Sequence, residues 1–325
     1  MKTKRHFALL AWPAMGVLLM GLLAASCKDG KTAKEAEANV EEAEELDEED
    51  MADNPDAYFQ DVKTVKVKTA LEFLSALKSN RHIIITESDD LDLTDAINTM
   101  ANNDEMDSYS WGDGSVRTNA GVFYNEEFDG NTIVISKLHD VFIEGQGTEG
   151  ADLRVVPRYA DVLRFENCRN IAIRNVTMGH YAAGSCSGDV LVLKKTKNVL
   201  VDDCRIFGCG VNGLNTSYAT DVKVKNSNIY GCSDRGIVME GSRNISFEKC
   251  KVYDNDFGAL YADEGCEKVV FDKCKFYDNG GSLFNCLSEI RVKNSELTHH
   301  RGTDLSNVNT YNCELHLDDS EGGEY

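Results

Sequence analysis

Four side chains could carry out acid/base chemistry if the fold brought them together: His180, Asp202, Asp203 and Lys225. Two carboxylates can divide the roles of proton donor and proton acceptor, and an imidazole or an amine can act as the base. Charges of alternating sign along one stretch are also typical of a solvated sheet face. Residues 202–225 therefore leave two alternatives open: a catalytic site, or a surface that keeps the protein soluble.

Two acidic segments upstream of these residues could bind a divalent cation. Residues 89–95 contain four aspartates, and residues 104–107 contain three acids. Calcium prefers several carboxylate oxygens, but neither segment has the glycine that an EF-hand loop requires. We favour solvated loops, keep calcium open as the one possible cofactor, and assign no residue as a metal ligand.

Residues 1–27 have the organisation of an export signal. Basic residues at positions 2, 4 and 5 precede an apolar run over 7–25, and the segment ends in Leu-Leu-Ala-Ala-Ser-Cys. This ending resembles the lipobox of bacterial lipoproteins, which implies that Cys27 becomes the acylated, palmitate-bearing first residue. Several acyl chains anchor a protein stably, so we expect the membrane as a partner and a location at the cell outer membrane or cell surface. The alternatives are an uncleaved anchor helix and an ordinary secretory signal.

The charge of the chain limits its partners. It has 55 acidic and 34 basic side chains in 325 residues, a formal charge of −21. Because this charge repels a phosphate backbone, we expect no nucleic-acid partner. Residues 28–60 are rich in acids and too poor in apolar residues to build a core. We therefore predict an acidic, disordered tether over 27–60, which is either a spacer or, as in some surface lipoproteins, an export signal.

The second half of the chain contains an internal repeat. Six segments align without gaps, and successive copies start 21 to 28 residues apart. Each has apolar residues at its second, fourth and ninth places and a small or compact residue at its seventh, so each predicts a strand with one buried face. The spacing is too short for crossover helices and favours stacked coils. The segments start at Asn170, Asn198, Asp221, Asn244, Lys268 and Glu289.

Equivalent places in stacked coils form ladders of like side chains. The twelfth place has Asn255 and Asn279, whose amides can bond to each other. The tenth place is aromatic, and if it faces solvent its tyrosines could bind sugar rings by stacking. Its members are Phe207, Tyr230, Tyr253 and Tyr277.

The chain has 11 cysteines, a number that suggests disulfides in an exported protein. However, many of them lie on ladder places rather than at disulfide-like spacings. Neighbours such as Cys250 and Cys274 would have parallel side chains that suit bridging poorly. We therefore predict buried, reduced thiols that act as small apolar residues.

A cap precedes the coils. Thr69 and Glu72 have the spacing of a capping box, which predicts a short amphipathic helix through Leu77 that ends near residue 80. Residues 83–86 then predict the first strand. A helix at this place would keep the open end of a solenoid from pairing with other chains.

The repeats resemble the right-handed parallel β-helix of the pectin-lyase-like superfamily over about residues 131–315. The resemblance rests on the coils above and on the segment 141–147, a strand followed by a glycine-rich turn. Residues 179–190, 207–210 and 229–232 look like a subgroup of bacterial β-helix proteins without an assigned activity. Some members are calcium-dependent polysaccharide lyases with a Lys or Arg base, and others hydrolyse pectin with paired aspartates.

The chain departs from both enzymatic patterns. Asp202 and Asp203 lack the Asn-x-Asp partner of the pectin-hydrolysing members, and the Gly-His at 179–180 is followed by tyrosine rather than glycine. The strand motif of the pectate lyases, which ends in Asp-His, is replaced by Asp202-Asp203. We therefore predict a cell-envelope lipoprotein that binds or scaffolds, with polysaccharide as the expected ligand, and we lean against an enzyme. The alternative is a polysaccharide lyase or glycoside hydrolase with a diverged site.

The predicted fold is an all-β solenoid, a single-stranded right-handed parallel β-helix with a short N-terminal capping helix. The predicted parts are a signal peptide over 1–26, the tether over 27–60, a cap over 61–130, the coils over 131–315 and an acidic tail over 316–325.

Overall fold

The computed structural model describes residues 48–86, 90–109, 119–182, 187–208, 210–299 and 304–317, with the backbone alone for 48–50. Cys27, the signal peptide, the tether up to residue 47, Asp89, Cys209 and the tail from 318 lie outside the described residues. Residues 47–325 form one compact unit. None of the described helices is both long enough and apolar enough to cross a membrane.

The described strands form three sheets that wind around one core as a right-handed β-helix, so the predicted fold is confirmed. Every strand pairing is parallel except the β4–β5 hairpin. Sheet A contains β1 (Lys63–Val67), β2 (Arg81–Ile85), β6 (His139–Gly145), β9 (Arg169–Arg174), β12 (Lys197–Asp202), β15 (Thr220–Lys225), β18 (Arg243–Glu248), β21 (Glu267–Asp272), β24 (Ile290–Lys293) and β26 (Val308–Tyr311).

The other two sheets complete each coil. Sheet B contains β3 (Leu91–Asp92), β7 (Ala151–Val155), β10 (Val176–His180), β13 (Arg205–Phe207), β16 (Asn228–Tyr230), β19 (Lys251–Tyr253), β22 (Lys275–Tyr277), β25 (Glu296–His299) and β27 (Glu314–Leu317). Sheet C contains β4 (Gly121–Glu127), β5 (Gly130–Ser136), β8 (Leu163–Glu166), β11 (Leu191–Lys194), β14 (Asn212–Ser217), β17 (Arg235–Glu240), β20 (Gly258–Ala262) and β23 (Phe284–Cys286). The coils thus continue two residues past the predicted boundary at 315.

The strand register is the one that the repeat alignment predicts. The second-place residues pair in order from coil to coil and point into the core, because side chains alternate between the two faces of a strand. Slipping by one residue would expose this whole set, so the pattern holds the register. The paired residues are Ile171, Val199, Val222, Ile245, Val269 and Ile290.

The turn from sheet A to sheet B explains the sixth and seventh places of the repeat. Sixth-place residues such as Asn226 (φ 52°) and Lys249 (φ 55°) adopt the left-handed conformation, which asparagine tolerates better than lysine. The seventh-place residue is then buried against the next coil, where the Cys204 backbone N–H donates to the Ser227 hydroxyl at 3.0 Å. Between the other two sheets, Asn255 Nδ2 donates to Asn279 Oδ1 at 2.8 Å, as the asparagine ladder predicts.

The eight cysteines that the structure describes carry free thiols. Burial raises the pKa of Cys204 to about 12, so this thiol stays protonated and unreactive near neutral pH. Six of the eight are buried and act as small core side chains, as predicted, whereas Cys286 and Cys313 are half-buried.

The N-terminal cap contains the predicted capping box. Helix α3 (Ala70–Ala76) begins after Thr69, whose Oγ1 accepts from the Glu72 N–H at 3.2 Å, while Glu72 Oε2 accepts from the Thr69 N–H at 3.3 Å. The helix ends at Ala76, earlier than predicted. The prediction that residues 83–86 form the first strand is wrong, because β1 precedes the helix and pairs with β2. Strand β1 has the short alternating sequence Lys-Thr-Val-Lys-Val, which does not belong to the internal repeat and therefore did not predict a strand.

The expectation of a solvated loop at residues 89–95 is wrong for its second half. Helix α4 (Leu93–Asn102) begins there, and Asp92 Oδ1 caps it by accepting from the Thr94 N–H at 2.9 Å. Aspartates favour a helix N-terminus because they satisfy its free N–H groups and its dipole. The buried face of the helix supplies the apolar contact that sequence spacing alone did not reveal.

The predicted tether ends before residue 48. Residues 48–59 form α1 (Glu48–Asp53) and α2 (Pro55–Tyr58), which lie on the outer face of sheet A. Met51 and Phe59 are buried there against three apolar side chains that point outward from β6, β9 and β12: Phe142, Ala172 and Leu200. These three residues take the place where later coils present Lys223, Ser246, Val270 and Arg291.

Candidate functional site

The structure does not bring the four predicted catalytic residues together. His180 ends β10 in sheet B, whereas Asp202 and Lys225 end β12 and β15 in sheet A, with Asp203 in the turn that follows. The His180 ring is 2% exposed, and its Nε2 lies 2.8 Å from the Ala160 carbonyl oxygen, to which it donates. Burial lowers the pKa of His180, so the ring is neutral near pH 7.

Of the three residues from sheet A, Asp202 and Lys225 pair with each other and do not provide a free acid and base. Lys225 Nζ lies 3.5 Å from Asp202 Oδ2 and donates to the Ala52 carbonyl oxygen at 3.0 Å. Asp202 Oδ1 also accepts from Asn226 Nδ2 at 2.8 Å. The Lys225 amine is therefore already held by two oxygens and does not project freely towards a ligand. Asp203 is exposed at a left-handed turn.

A cavity of about 670 Å³ lies beside this surface, where sheet A turns into sheet B. The side chains that form its floor come from equivalent places of successive coils, since Glu144, Arg174 and Asp202 pair in register. The glycine-rich turn after β6 is part of the wall, and a Cβ on Gly145 would lie 2.1 Å from the Asn175 carbonyl oxygen. The other lining residues are Lys66, Ile84, Gln146, Gly147, Asn175, Asp203 and Asn226.

Arg174 is the central cation of this cavity. Its Nε donates to Glu144 Oε1 at 3.0 Å, and its two terminal nitrogens donate to both oxygens of Asp56 at 2.7 and 2.8 Å. The hydrogen bonds to Asp56 and Glu144 raise the pKa of Arg174 above the already high value of an ordinary arginine. The guanidinium also lies over the Phe142 ring at 4.9 Å. The site therefore presents a fixed, planar cation beside carboxylates and amides, which suits recognition of a polar ligand.

A second charged group, which the sequence reasoning missed, lies at the start of two strands of sheet C. The Asp189 backbone N–H donates to Asp161 Oδ1 at 2.8 Å, and Arg164 donates to Asp161 Oδ2 at 3.2 Å. Asn212 and Asn215 donate their amides to the Asp189 carboxylate at 2.9 and 2.7 Å. Burial, followed by the charge of Asp189, raises the pKa of Asp161 to about 7.

A neighbouring carboxylate has the opposite shift. Burial would raise the pKa of Glu166, but the Arg164 charge and a hydrogen bond from the Tyr109 hydroxyl at 2.9 Å lower it overall. Carboxylates with diverging pKa values around one arginine are typical of acid/base sites and also of structural ion-pair networks. The signal in the sequence is the repeated Asp-Val-Leu at 161–163 and 189–191, which has the same 28-residue spacing as the first two repeat starts.

The aromatic ladder faces outward. Its inner tyrosines, Tyr230 and Tyr253, do not offer their ring faces, whereas Tyr277 has a described ring contact on one side only. Centroids of successive rings lie 5.5, 4.9 and 4.8 Å apart from Phe207 through Tyr230 and Tyr253 to Tyr277. Arg154 covers Phe207 at 4.3 Å. Because Tyr230 and Tyr253 each contact a ring on both sides, a sugar can reach their edges and hydroxyls but cannot stack on them.

Within the described part of the chain, no group of three or more His, Cys, Asp or Glu side chains could hold a metal ion. This includes the acidic segments at residues 90–95 and 104–107. No calcium ligand is therefore assigned.

Comparison with known proteins agrees with this architecture. A family profile described as right-handed β-helix region matches residues 141–319, more than half of the chain, and the protein belongs to that family. Solved structures with a similar fold include pectate and alginate lyases and a putative glycosyl hydrolase. No curated protein sequence matched the chain.

Three of these neighbours illustrate the likeness. A pectate lyase from a Bacillus species, in complex with trigalacturonate, has a TM-score of 0.51 at 11% identity, with 81% of this chain and 85% of that chain covered. An alginate lyase from a Paenibacillus species has a TM-score of 0.46 at 12% identity, with 78% and 99% covered. Pectate lyase II from Xanthomonas campestris has a TM-score of 0.44 at 15% identity, with 81% and 82% covered. At 11% identity, the likeness to the Bacillus enzyme shows a shared fold and nothing more.

Proposed function

We propose that this protein is a cell-envelope lipoprotein whose β-helix binds a polysaccharide in the cavity beside sheet A and does not cleave it. The observation that carries the proposal is the cavity itself, in which Arg174, Glu144, Asp202 and the turn asparagines come from successive coils. Hydrogen-bonding groups repeated at the coil spacing suit a ligand that is itself a repeating polymer. The lipid at Cys27 holds the domain at the outer membrane or cell surface.

Binding is favoured over cleavage because the predicted catalytic groups are separated or paired. His180 is buried in another sheet, and Lys225 contacts both Asp202 and the Ala52 carbonyl. A base in such a site must release its proton and approach the substrate. Lys225 is instead held by two oxygens and is covered by the N-terminal segment.

The first ligand class to test is polyuronate. The Bacillus pectate lyase is in complex with trigalacturonate, and the guanidinium of Arg174 matches the geometry of a carboxylate. Lys66 at the other end of the cavity adds a second cation.

The experiment measures binding of the full chain, purified in detergent, to polygalacturonate, alginate and a neutral glucan. Arg174→Gln is expected to weaken polyuronate binding about tenfold, since hydrogen bonds to a charged group contribute about 1.5–3 kcal/mol. Arg291→Gln is the matched control, because Arg291 lies on the outer face of the same sheet and is 71% exposed. Equal loss in both variants, or no binding by the unchanged protein, would contradict the proposal.

The second candidate function is a polysaccharide lyase or glycoside hydrolase that works from the sheet C side. The observation that favours it is the pair of carboxylates with opposite pKa shifts, Asp161 and Glu166, around Arg164. The binding samples are therefore also assayed for new reducing ends, with and without calcium. Turnover that Asp161→Asn abolishes would replace the binding proposal with this one.

A further inference from the structure

The segment over residues 51–59, which we call the latch, contacts the surface that the proposed ligand would use. Its apolar ends, Met51 and Phe59, are buried on Phe142, Ala172 and Leu200. Between them the chain crosses the outer face of β12 and β9. The latch therefore lies along several coils, in the direction in which a bound polymer would cross them.

The polar contacts of the latch place carboxylates on the cations of sheet A. Asp56 holds Arg174 through two hydrogen bonds of 2.7 and 2.8 Å, and Asp53 Oδ1 lies 3.0 Å from Lys223 Nζ. The Ala52 carbonyl accepts from Lys225 at 3.0 Å. Three cations of one sheet face are thus paired with a single short segment.

Arg174 is the point at which the latch and the cavity meet. Its guanidinium lines the cavity, and Glu144 and Asp56 together use its Nε and both terminal nitrogens. A ligand carboxylate can form a two-pronged contact with Arg174 only by displacing Asp56, because Glu144 belongs to the sheet and stays in place.

We propose that the latch is a built-in competitor that mimics the carboxylates of an anionic polysaccharide, so that such a ligand binds the cavity by displacing Asp56 and loosening residues 51–59. The inference rests on the proposed function and adds to it a coupling between ligand binding and the N-terminal segment. The competing carboxylates are exposed, with Asp56 at 61% and Asp53 at 71%, while their partners Arg174 and Lys223 are 23% and 30% exposed. Water can therefore reach the carboxylate side of each pair and weaken it. A polymer with many carboxylates exchanges with them at high effective concentration.

The test compares Asp56→Asn with Asp61→Asn in the full chain, purified in detergent. Both changes remove one negative charge from the same stretch, but Asp61 is exposed and forms no described ion pair with sheet A. Asp56→Asn is expected to raise the affinity for polygalacturonate about threefold to fivefold, the range that an exposed ion pair supports. Asp61→Asn and binding of a neutral glucan are expected to stay unchanged.

Hydrogen–deuterium exchange of peptides covering 51–59 supplies the second measurement. Polygalacturonate is expected to speed exchange in these peptides, and the neutral glucan is expected to leave it unchanged. If both variants bind polygalacturonate as the unchanged protein does, with constant exchange over 51–59, the latch is refuted while the proposed function stands. If no variant binds any polyuronate, the proposed function itself fails.

Discussion

At the residue scale, burial changes what equivalent residue types can do. Asp202 and Asp203 look like a catalytic pair in the sequence, yet one is paired with Lys225 and the other is exposed. Asp161 and Asp189 belong to no catalytic motif in the sequence, yet each is more than nine-tenths buried beside the other. Among the described carboxylates, those whose pKa is raised are therefore Asp161 and Asp189, at the start of two strands of sheet C.

The first prediction concerns the pH dependence of stability. The pKa of Asp161 is raised from its ordinary value near 3.8 to about 7, so the folded protein holds a proton that the unfolded chain releases. The contribution of this group to stability is fully present below about pH 4 and is lost as the pH rises to about 7. Urea unfolding midpoints at pH 5 and pH 8 are expected to differ less in Asp161→Asn than in the unchanged protein.

Asp203→Asn is the control for this experiment, because Asp203 is exposed and asparagine tolerates its left-handed turn. Its pH dependence is expected to match that of the unchanged protein. A pH slope that Asp161→Asn leaves intact would show that Asp161 is already ionised in the folded state.

At the scale of elements, the cap and the coils are held by different kinds of contact. The coils depend on long-range pairing between strands about one coil apart, whereas α3 is short and depends on its own ends. Both capping-box hydrogen bonds are present at Thr69, and Phe73 and Leu74 are buried beneath the helix. Loss of the N-cap hydrogen bonds at Thr69 therefore destabilises α3, the helix that connects β1 to β2.

Thr69→Ala is expected to destabilise the protein by about 1 kcal/mol, the usual effect of removing an N-cap hydroxyl. Ser75→Ala in the same helix is the control, since Ser75 is exposed and its hydroxyl bonds only to the Leu71 carbonyl one turn earlier. Alanine is a better helix former than serine, so Ser75→Ala is expected to be neutral or slightly stabilising in thermal unfolding. Equal destabilisation by both variants would argue against the capping role.

At the scale of the whole molecule, the export signal and the β-helix serve one proposed arrangement, a binding domain held at the cell surface. The signal and Cys27 lie outside the described residues, so the lipid anchor stays a prediction from the lipobox resemblance. The proposed latch would couple ligand binding to the N-terminal segment, because Asp56 in that segment contacts Arg174 of the cavity.

Cys27→Ala is expected to move the protein from the membrane fraction to the soluble fraction, since acyl chains on this cysteine would supply the stable anchor. Fractionation followed by immunoblotting and metabolic palmitate labelling measure the two effects. Cys313→Ala is the control, because Cys313 belongs to the last coil and donates to the Val292 carbonyl. Unchanged membrane association of Cys27→Ala would refute the anchor.

The sequence by itself determined the features that repeat locally. The strand register, the asparagine ladder and the capping box at Thr69 follow from side-chain alternation and from hydrogen bonds between neighbouring places. Sequence patterns at one coil therefore predict the same geometry at the next.

Only the tertiary structure decided which distant groups meet. It separated His180 from Asp202, closed the faces of Tyr230 and Tyr253, and brought residues 51–59 onto sheet A. The apolar residues Ala172 and Leu200 lie on the outer face of the sheet, which indicates that something covers them. Their partners, Met51 and Phe59, lie more than 100 residues away in the chain. Burial and charge pairing depend on such long-range neighbours, so no local pattern could specify the state of the site.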